Sequence, residues 1–293
     1  MVFSSRAESV EAAARLTAYN RAILPRRLAA LATLAAIVLA VVSAGWIDQV
    51  HLDVFFAKFP KFAGYLHRIF ILDSGASVFS NIADWFWGIK RWGRLLLETV
   101  LVAYLSTTVG ALAALFLCFG AAHNLSRSSV IRIVIRRFLE FCRTVPEIVF
   151  AMVFVVAFGL GPLPGVVAIA IHSTGALGKL FFEAVENIDM KPLEGVSASG
   201  ASSIAVIRFA VLPQVMAKFA SYVLLRFEIN VREAAIMGLV GAGGIGQDLV
   251  EAIEKFYYSD VSAILILIIV TVSAIDLVSE HLRHRLVTAG GEP

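Results

Sequence analysis

The sequence predicts an all-α protein that crosses a membrane about six times. Two observations carry this expectation. The chain is 59% hydrophobic and 16% charged, where soluble domains hold about 45–50% and about 25%. One soluble core built from 293 residues cannot hide that surplus. The apolar residues are also gathered into runs of membrane length. About 20 helical residues cross the hydrocarbon layer, and six such runs stand at roughly 28–47, 95–119, 138–160, 163–183, 214–240 and 261–279.

The first run follows a polar tail that is too long for the charged region of an ordinary signal peptide. The run itself is long enough to span, so Ser43-Ala44-Gly45 reads as a mimic of a cleavage site rather than one. Residues 48–94 then alternate aromatics (Phe55, Phe56, Phe59, Phe62, Tyr65, Trp85, Phe86, Trp87, Trp92) with Lys and Arg. Interfacial helices have this composition, and the segment reads either as membrane-surface anchoring or as a lid on the outer face. The second run, 95–119, is mostly apolar. The third contains Arg143 and Glu147, four residues apart and beside Pro146. The fourth places His172 midway, next to Ser173 and Thr174; a lone histidine there is more often a packing residue than a ligand.

Between the fourth and fifth runs lies a polar segment, 184–213. Pro192 fits the first turn of a helix, where a missing N–H is harmless. Glu194 is then favoured by that helix's positive end. Gly200 fits the position that ends it. Ser202 or Ser203 can cap a second helix with Ile204, Ile207 and Val211 on one apolar face, and Pro213 is expected to stop it. The sequence therefore encodes two short helices lying along one membrane surface.

The fifth run carries Arg226, Glu228, Asn230, Arg232 and Glu233. Each central charge costs roughly 2.5–3.5 kcal/mol on insertion scales, so these groups must face protein, one another or a wet cavity. Arg226, Asn230 and Glu233 share one helix face; Glu228 and Arg232 form an i, i+4 pair in the favourable order. Internal neutralisation and the lining of a pathway both fit, and the same holds for Arg143 and His172. Next comes Gly241-Ala242-Gly243-Gly244-Ile245-Gly246, with Asp260 further on, which spells a dinucleotide-binding pattern. A charged membrane helix precedes it instead of a strand, and no βαβ units surround it. The glycines fit tight helix crossing or an unwound span end.

Basic residues set the orientation. With the N-terminus in the cytoplasm, Arg6, Arg15, Arg21, Arg26, Arg27, Arg127, Arg132, Arg136, Arg137, Lys179, Lys191, Arg208, Lys218, Arg283 and Arg285 fall inside. Most basic residues on the other side lie in the long 48–94 segment, where the positive-inside rule counts little. Both termini are expected in the cytoplasm, and with them residues 184–213. The organisation is then residues 1–94, a core of 95–285, and a tail of 286–293.

Composition also narrows the function. A net charge of +3 does not suggest nucleic acid. Cys118 and Cys142 sit in or beside spans, with neither disulfide nor metal spacing. The histidines are scattered, and no nucleophile–base constellation stands out. A secondary carrier should show an internal repeat and its own coupling-ion site; no repeat is evident.

Glu194, Gly200, Leu212 and Pro213 stand at the spacing of the EAA loop, through which permease subunits of bacterial ATP-driven importers dock into their ATPase. Gly195-Val196 replaces the usual Ala-Ala, and Ala210 replaces an aliphatic residue. RTVPEIVFAM, HSTGALGKLFFEAVENID and RFEINVREAAIMGLVGAGGIGQDL extend the likeness, so that from about residue 95 onward the chain resembles the permease of phosphonate-type ABC importers. The resemblance implies the MetI-like type I fold and transport of a phosphonate, phosphite or phosphate. It also implies a second copy of the chain, a cytoplasmic ATPase dimer that alone binds ATP and Mg, and an extracytoplasmic binding protein. No catalytic residue, cofactor or metal is implied for the permease itself. A permease for another small solute, or an ion-coupled carrier, is the alternative.

Overall fold

A computed structural model describes residues 25–46, 52–72, 74–126 and 128–289 of the protein. Arg6, Arg15, Arg21, Arg127 and residues 290–293 lie outside the described residues. Regular structure among the described residues is helical, apart from one isolated antiparallel bridge between Ile71 and Ser77.

The chain parts into two units at Leu66/His67. The first holds α1 (Pro25–Trp46) and most of α2 (Leu52–Arg68). Helix α1 is apolar along its length, with Leu31, Leu39 and Val42 exposed as a lipid-facing span requires. In α2, Phe55, Phe59 and Phe62 recur at helical spacing and all are exposed, the stripe of an interfacial helix.

The second unit begins with a 3₁₀ turn at Val78–Ser80 and the short α3 (Ile82–Trp85), capped by Asn81 Oδ1 accepting from the Asp84 N–H at 3.3 Å. It continues through α4 (Ile89–Ala121), α5 (Ser129–Thr144), α6 (Glu147–Phe158), α7 (Pro162–Glu186), α8 (Met190–Ala198), α9 (Ser203–Val206), α10 (Leu212–Met237), α11 (Ile245–Glu254) and α12 (Tyr258–Ala289). Helix α7 is the central post, with Ile169, Leu177, Phe181 and Val185 buried. The Phe181 and Phe219 rings stack at 4.0 Å between α7 and α10. Small residues let the backbones approach: a Cβ at Gly175 would lie 2.6 Å from the Leu139 carbonyl oxygen of α5.

Among the described residues, five helices are long and apolar enough to cross a membrane, and six if α5 and α6 count as one span. The second count matches the expected six, but the span expected at 138–160 is not one straight helix. The pair is bent by 85°, because Pro146 pushes Val145 into extended backbone (φ −77°, ψ 124°) and ends α5. With 16 and 12 residues, the halves are about 24 and 18 Å long, each short of a roughly 30 Å hydrocarbon core. The segment is a broken span or a re-entrant loop.

A second departure concerns Pro213, which does not stop a helix. Residues Ser203–Val240 form one helical run of 38 residues, interrupted by a π turn at Ile207–Val211. Proline has no N–H for the carbonyl of Phe209, and the wide turn just ahead is where the backbone adapts. The extra residue in that turn also rotates the apolar face. Val206, Ala210 and Val211 are buried, whereas Ile204 is 78% exposed. The segment 48–94 differs too: Trp85 and Trp92 are buried rather than interfacial. Trp85 Nε1 donates to Ser262 Oγ at 3.0 Å and Trp87 Nε1 to Asp260 Oδ1 at 2.9 Å, so residues 78–94 clamp the start of α12.

Candidate functional site

The loop between α7 and α10 forms one free-standing helix, α8. Asp189 caps it, its Oδ1 accepting from the Lys191 N–H at 3.0 Å, and Gln214 Oε1 accepts from the Asp189 N–H at 3.0 Å, which ties the cap to α10. No residue of α8 is buried. Glu194 is exposed and has no hydrogen-bond or ion-pair partner among the described residues. Gly200 ends the turn at φ +81°, with its N–H donating to the Ser197 carbonyl at 3.0 Å. Only glycine enters that left-handed region freely. Ser202 Oγ accepts from the Ala205 N–H at 3.4 Å and starts α9. Leu212 is half-buried and Pro213 exposed at the first turn of α10. Helix α8 is thus an exposed helix held by its caps, with an acidic group that has no partner among the described residues.

Deeper in the bundle, α6, α7 and α10 bring polar groups together. Arg226 is buried and its Nη2 lies 2.9 Å from Glu233 Oε2. Its Nε donates to Ser173 Oγ at 3.2 Å. His172 Nε2 faces the Arg143 carbonyl oxygen at 3.1 Å. A carbonyl only accepts, so in a neutral ring Nε2 carries the proton and Nδ1 accepts from Arg226 Nη2 at 2.8 Å. Glu147 Oε2 lies 3.0 Å from the same Nδ1. Asn230, fully buried, donates through Nδ2 to Thr107 Oγ1 at 2.7 Å and Ser173 Oγ at 2.9 Å, which joins α4 to the network. The expected Arg226–Asn230–Glu233 face is thus the buried polar face of α10. Glu147, His172 and Glu233 bring possible metal-ligand atoms within 4.8 Å of one another, but the Arg226 guanidinium already supplies positive charge in that space.

Glu228 and Arg232 stand apart from this network. Arg232 Nη2 is 2.7 Å from Glu228 Oε1 and 3.2 Å from Asp276 of α12, and Arg283 of α12 approaches Glu228 at 3.8 Å. The sequence reading missed Asp276, which lies near the end of the sixth apolar run. It also missed Thr107, which carries no charge to draw notice. Arg143, at the C-terminal end of α5, offers its carbonyl to His172 while its side chain is exposed, without an ion-pair partner among the described residues.

The glycine pattern forms the turn that folds α11 back on α10. Gly241, Gly243 and Gly244 have φ of +79°, +81° and +77°. Gly246 sits where a Cβ would meet the Ala235 carbonyl oxygen at 1.9 Å. The Ile245 N–H donates to Thr99 Oγ1 at 3.0 Å, so the helix start faces α4 rather than a phosphate. Beyond the turn, Arg91 pairs with Asp248 at 2.8 Å. A hydrogen bond from Lys255 holds the exposed Glu251 carboxyl below its usual range.

Comparison with known proteins agrees with this architecture. Residues 106–288 match the family described as binding-protein-dependent transport system inner membrane component. The chain is 39% identical over 198 residues to a phosphite transport system permease protein of Stutzerimonas stutzeri, covering 68% of this chain and 72% of that protein. It is 39% identical over 196 residues to a phosphate-import permease protein of Mycolicibacterium smegmatis, covering 67% of this chain and 37% of that protein. It is 51% identical over 120 residues to a putative cryptic phosphonate transport system permease protein of Escherichia coli K12, covering 41% of this chain and 98% of that protein. In fold, it is similar to the MetNI methionine ABC transporter in an inward-facing form, with TM-score 0.58 at 17% identity, covering 67% of this chain and 95% of that one. It is also similar to an amino acid ABC transporter solved with histidines, with TM-score 0.55 at 20% identity, covering 68% and 98%. These structures are type I ABC importer permeases of the MetI kind, and this chain shares their fold. The protein belongs to the family of inner membrane components of binding-protein-dependent transport systems, the transport subunits that work with a separate ATPase and a substrate-binding protein.

Proposed function

We propose that the protein is the permease of an importer for phosphorus oxyanions, with phosphonate, phosphite or phosphate as cargo. The observation that carries the reading is the buried polar face of α10, which joins Arg226 and Asn230 to His172 and Ser173 inside a bundle of membrane helices. Polar groups at that depth are retained for architecture or for passage, and relatives named for phosphite, phosphate and phosphonate transport favour passage of an anion. Planar guanidinium groups suit such cargo.

In this reading two copies of the chain form the path, and both termini lie in the cytoplasm with α8. Glu194, Gly200, Leu212 and Pro213 form the element that meets the ATPase dimer, where ATP and Mg are bound. The binding protein delivers cargo at the opposite face. Arg143, His172, Arg226 and Asn230 are the pathway candidates. Glu228 and Arg232 pair against α12 and serve architecture, and Gly241, Gly243, Gly244 and Gly246 shape the outer end.

Growth of a host lacking its own phosphorus importers tests this. With this permease, its ATPase and its binding protein, the host should grow on phosphite or a simple phosphonate as sole phosphorus source. Growth that does not depend on the permease, or uptake of unrelated solutes only, overturns the reading.

A further inference from the structure

The two arginines buried or half-buried in α10 are already committed. Arg226 is held by Glu233, Ser173 and His172, and Arg232 by Glu228 and Asp276. Positive charge that is less firmly held lies on the face of α5 turned toward α7. There a cavity of about 340 Å³ is lined by Arg136, Arg137, Glu140, Arg143, Lys179 and Phe182 among others.

Its cations differ in how firmly they are held. Arg136 is a fixed wall. Its guanidinium stacks 4.6 Å over the Phe182 ring, pairs with Glu186, and donates through Nε to the Ala121 carbonyl at 2.9 Å. Arg137 pairs with Glu140 at 2.5 Å and Lys179 with Glu183 at 3.5 Å, both within one helix and well exposed. Pairs of that kind contribute little and reopen readily. Arg143 has no ion-pair partner among the described residues. The cavity also adjoins two functional elements. Glu186 ends α7 just ahead of α8, and the Arg143 carbonyl touches His172 of the buried network.

We propose that this cavity binds a phosphate-type oxyanion between Arg143, Lys179 and Arg137, against the fixed Arg136. A tetrahedral oxyanion offers several acceptor oxygens to guanidinium and ammonium donors at once, and such charge-assisted hydrogen bonds are the strong ones. Glu140 swings aside when Arg137 turns to the anion. The group bound is either a free oxyanion or the phosphate of an anionic lipid beside α5, whose Ile131, Val134 and Phe138 are exposed. The free-oxyanion source rests on the proposed cargo; the lipid source does not.

The test uses the permease–ATPase complex in nanodiscs of phosphatidylcholine alone and of phosphatidylcholine with phosphatidylglycerol. Inorganic phosphate is the first probe, with binding measured at equilibrium for the native complex and for Arg143→Gln with Lys179→Gln. If the source is the free ion, the native complex binds phosphate saturably in both lipids, and the double variant binds roughly tenfold more weakly or worse. If the source is lipid, phosphatidylglycerol is retained through detergent extraction by the native complex and not by the variant, and added phosphate shows no saturable binding.

A measurement on the native protein guards against a misfolded variant. Modification of Arg143 by phenylglyoxal, mapped by mass spectrometry, should slow severalfold with phosphate or phosphatidylglycerol and not with chloride. Binding of either ligand that is unchanged in the variant, or an Arg143 protected by neither, overturns the proposal. Growth on phosphite with no phosphate binding in this cavity would overturn the free-ion site while leaving the proposed transport standing.

Discussion

Arg226 Nη2 lies 2.9 Å from Glu233 Oε2, two turns further along the same helix, and both side chains are largely buried. Seven residues span about 10.5 Å of helix, so the arginine must lie along α10 to reach. Breaking one partner of such a buried pair typically destabilises by about 3–5 kcal/mol, because the other charge is left uncompensated. Glu233→Gln should therefore lower the thermal stability of the purified complex more than Arg226→Gln combined with Glu233→Gln. Additive losses across that cycle would mean that the two groups are not coupled.

Arg232 makes a contrasting case. Its partners Glu228 and Asp276 join α10 to α12, and it is 45% exposed, so its pairs are weaker than the Arg226 pair. Arg232→Gln should reduce assembly, and adding Glu228→Gln should restore much of it along with uptake. Uptake that stays abolished in a well-assembled double variant would place Arg232 on the route instead.

Helix α8 separates coupling from folding. Glu194 is exposed and unpartnered among the described residues, so Glu194→Ala should leave stability within about 0.5 kcal/mol while abolishing stimulation of ATP hydrolysis by the binding protein. Gly200→Asp adds a side chain into open space but at φ +81°, a strain of about 1–2 kcal/mol. It should insert and assemble yet lose stimulation. Normal stimulated hydrolysis in either variant would remove α8 as the coupling element.

The glycine turn between α10 and α11 should behave oppositely. A Cβ at Gly246 meets the Ala235 carbonyl oxygen at 1.9 Å, so Gly246→Ala forces α11 away from α10 and should sharply reduce the yield of folded protein. Gly195→Ala, with nothing within 4 Å of the new atom, should be neutral or stabilising by about 0.5–1 kcal/mol. Equal yields from the two variants would contradict the close packing.

Much of this was legible in the chain. Hydropathy located the long helices because lipid demands runs of apolar residues, and the 3.6-residue period placed Arg226, Asn230 and Glu233 on one face. Local chemistry located Gly200 and the Ser202 cap. What stayed hidden depends on distant or cumulative geometry. Asp276 is 44 residues from Arg232, and no local pattern announces such a partner. Pro146 was visible, but whether a proline bends a helix mildly or by 85° is decided by what packs around it. Pro213 read as a stop because a π turn, which removes the conflict with a continuous helix, leaves no mark in the hydropathy. The cavity beside Arg143 joins α5 to Lys179 of α7, residues whose proximity no local pattern announces.

Reconstituted uptake is the decisive measurement for ATP-driven import of a phosphorus oxyanion. Proteoliposomes holding the permease with its ATPase are loaded with ATP and Mg, given the binding protein outside, and supplied with labelled phosphite or a phosphonate. Accumulation should need all three proteins and persist when ionophores collapse every ion gradient. Accumulation driven by an imposed ion gradient without the ATPase, or ATP-driven uptake that excludes phosphorus oxyanions, would contradict it.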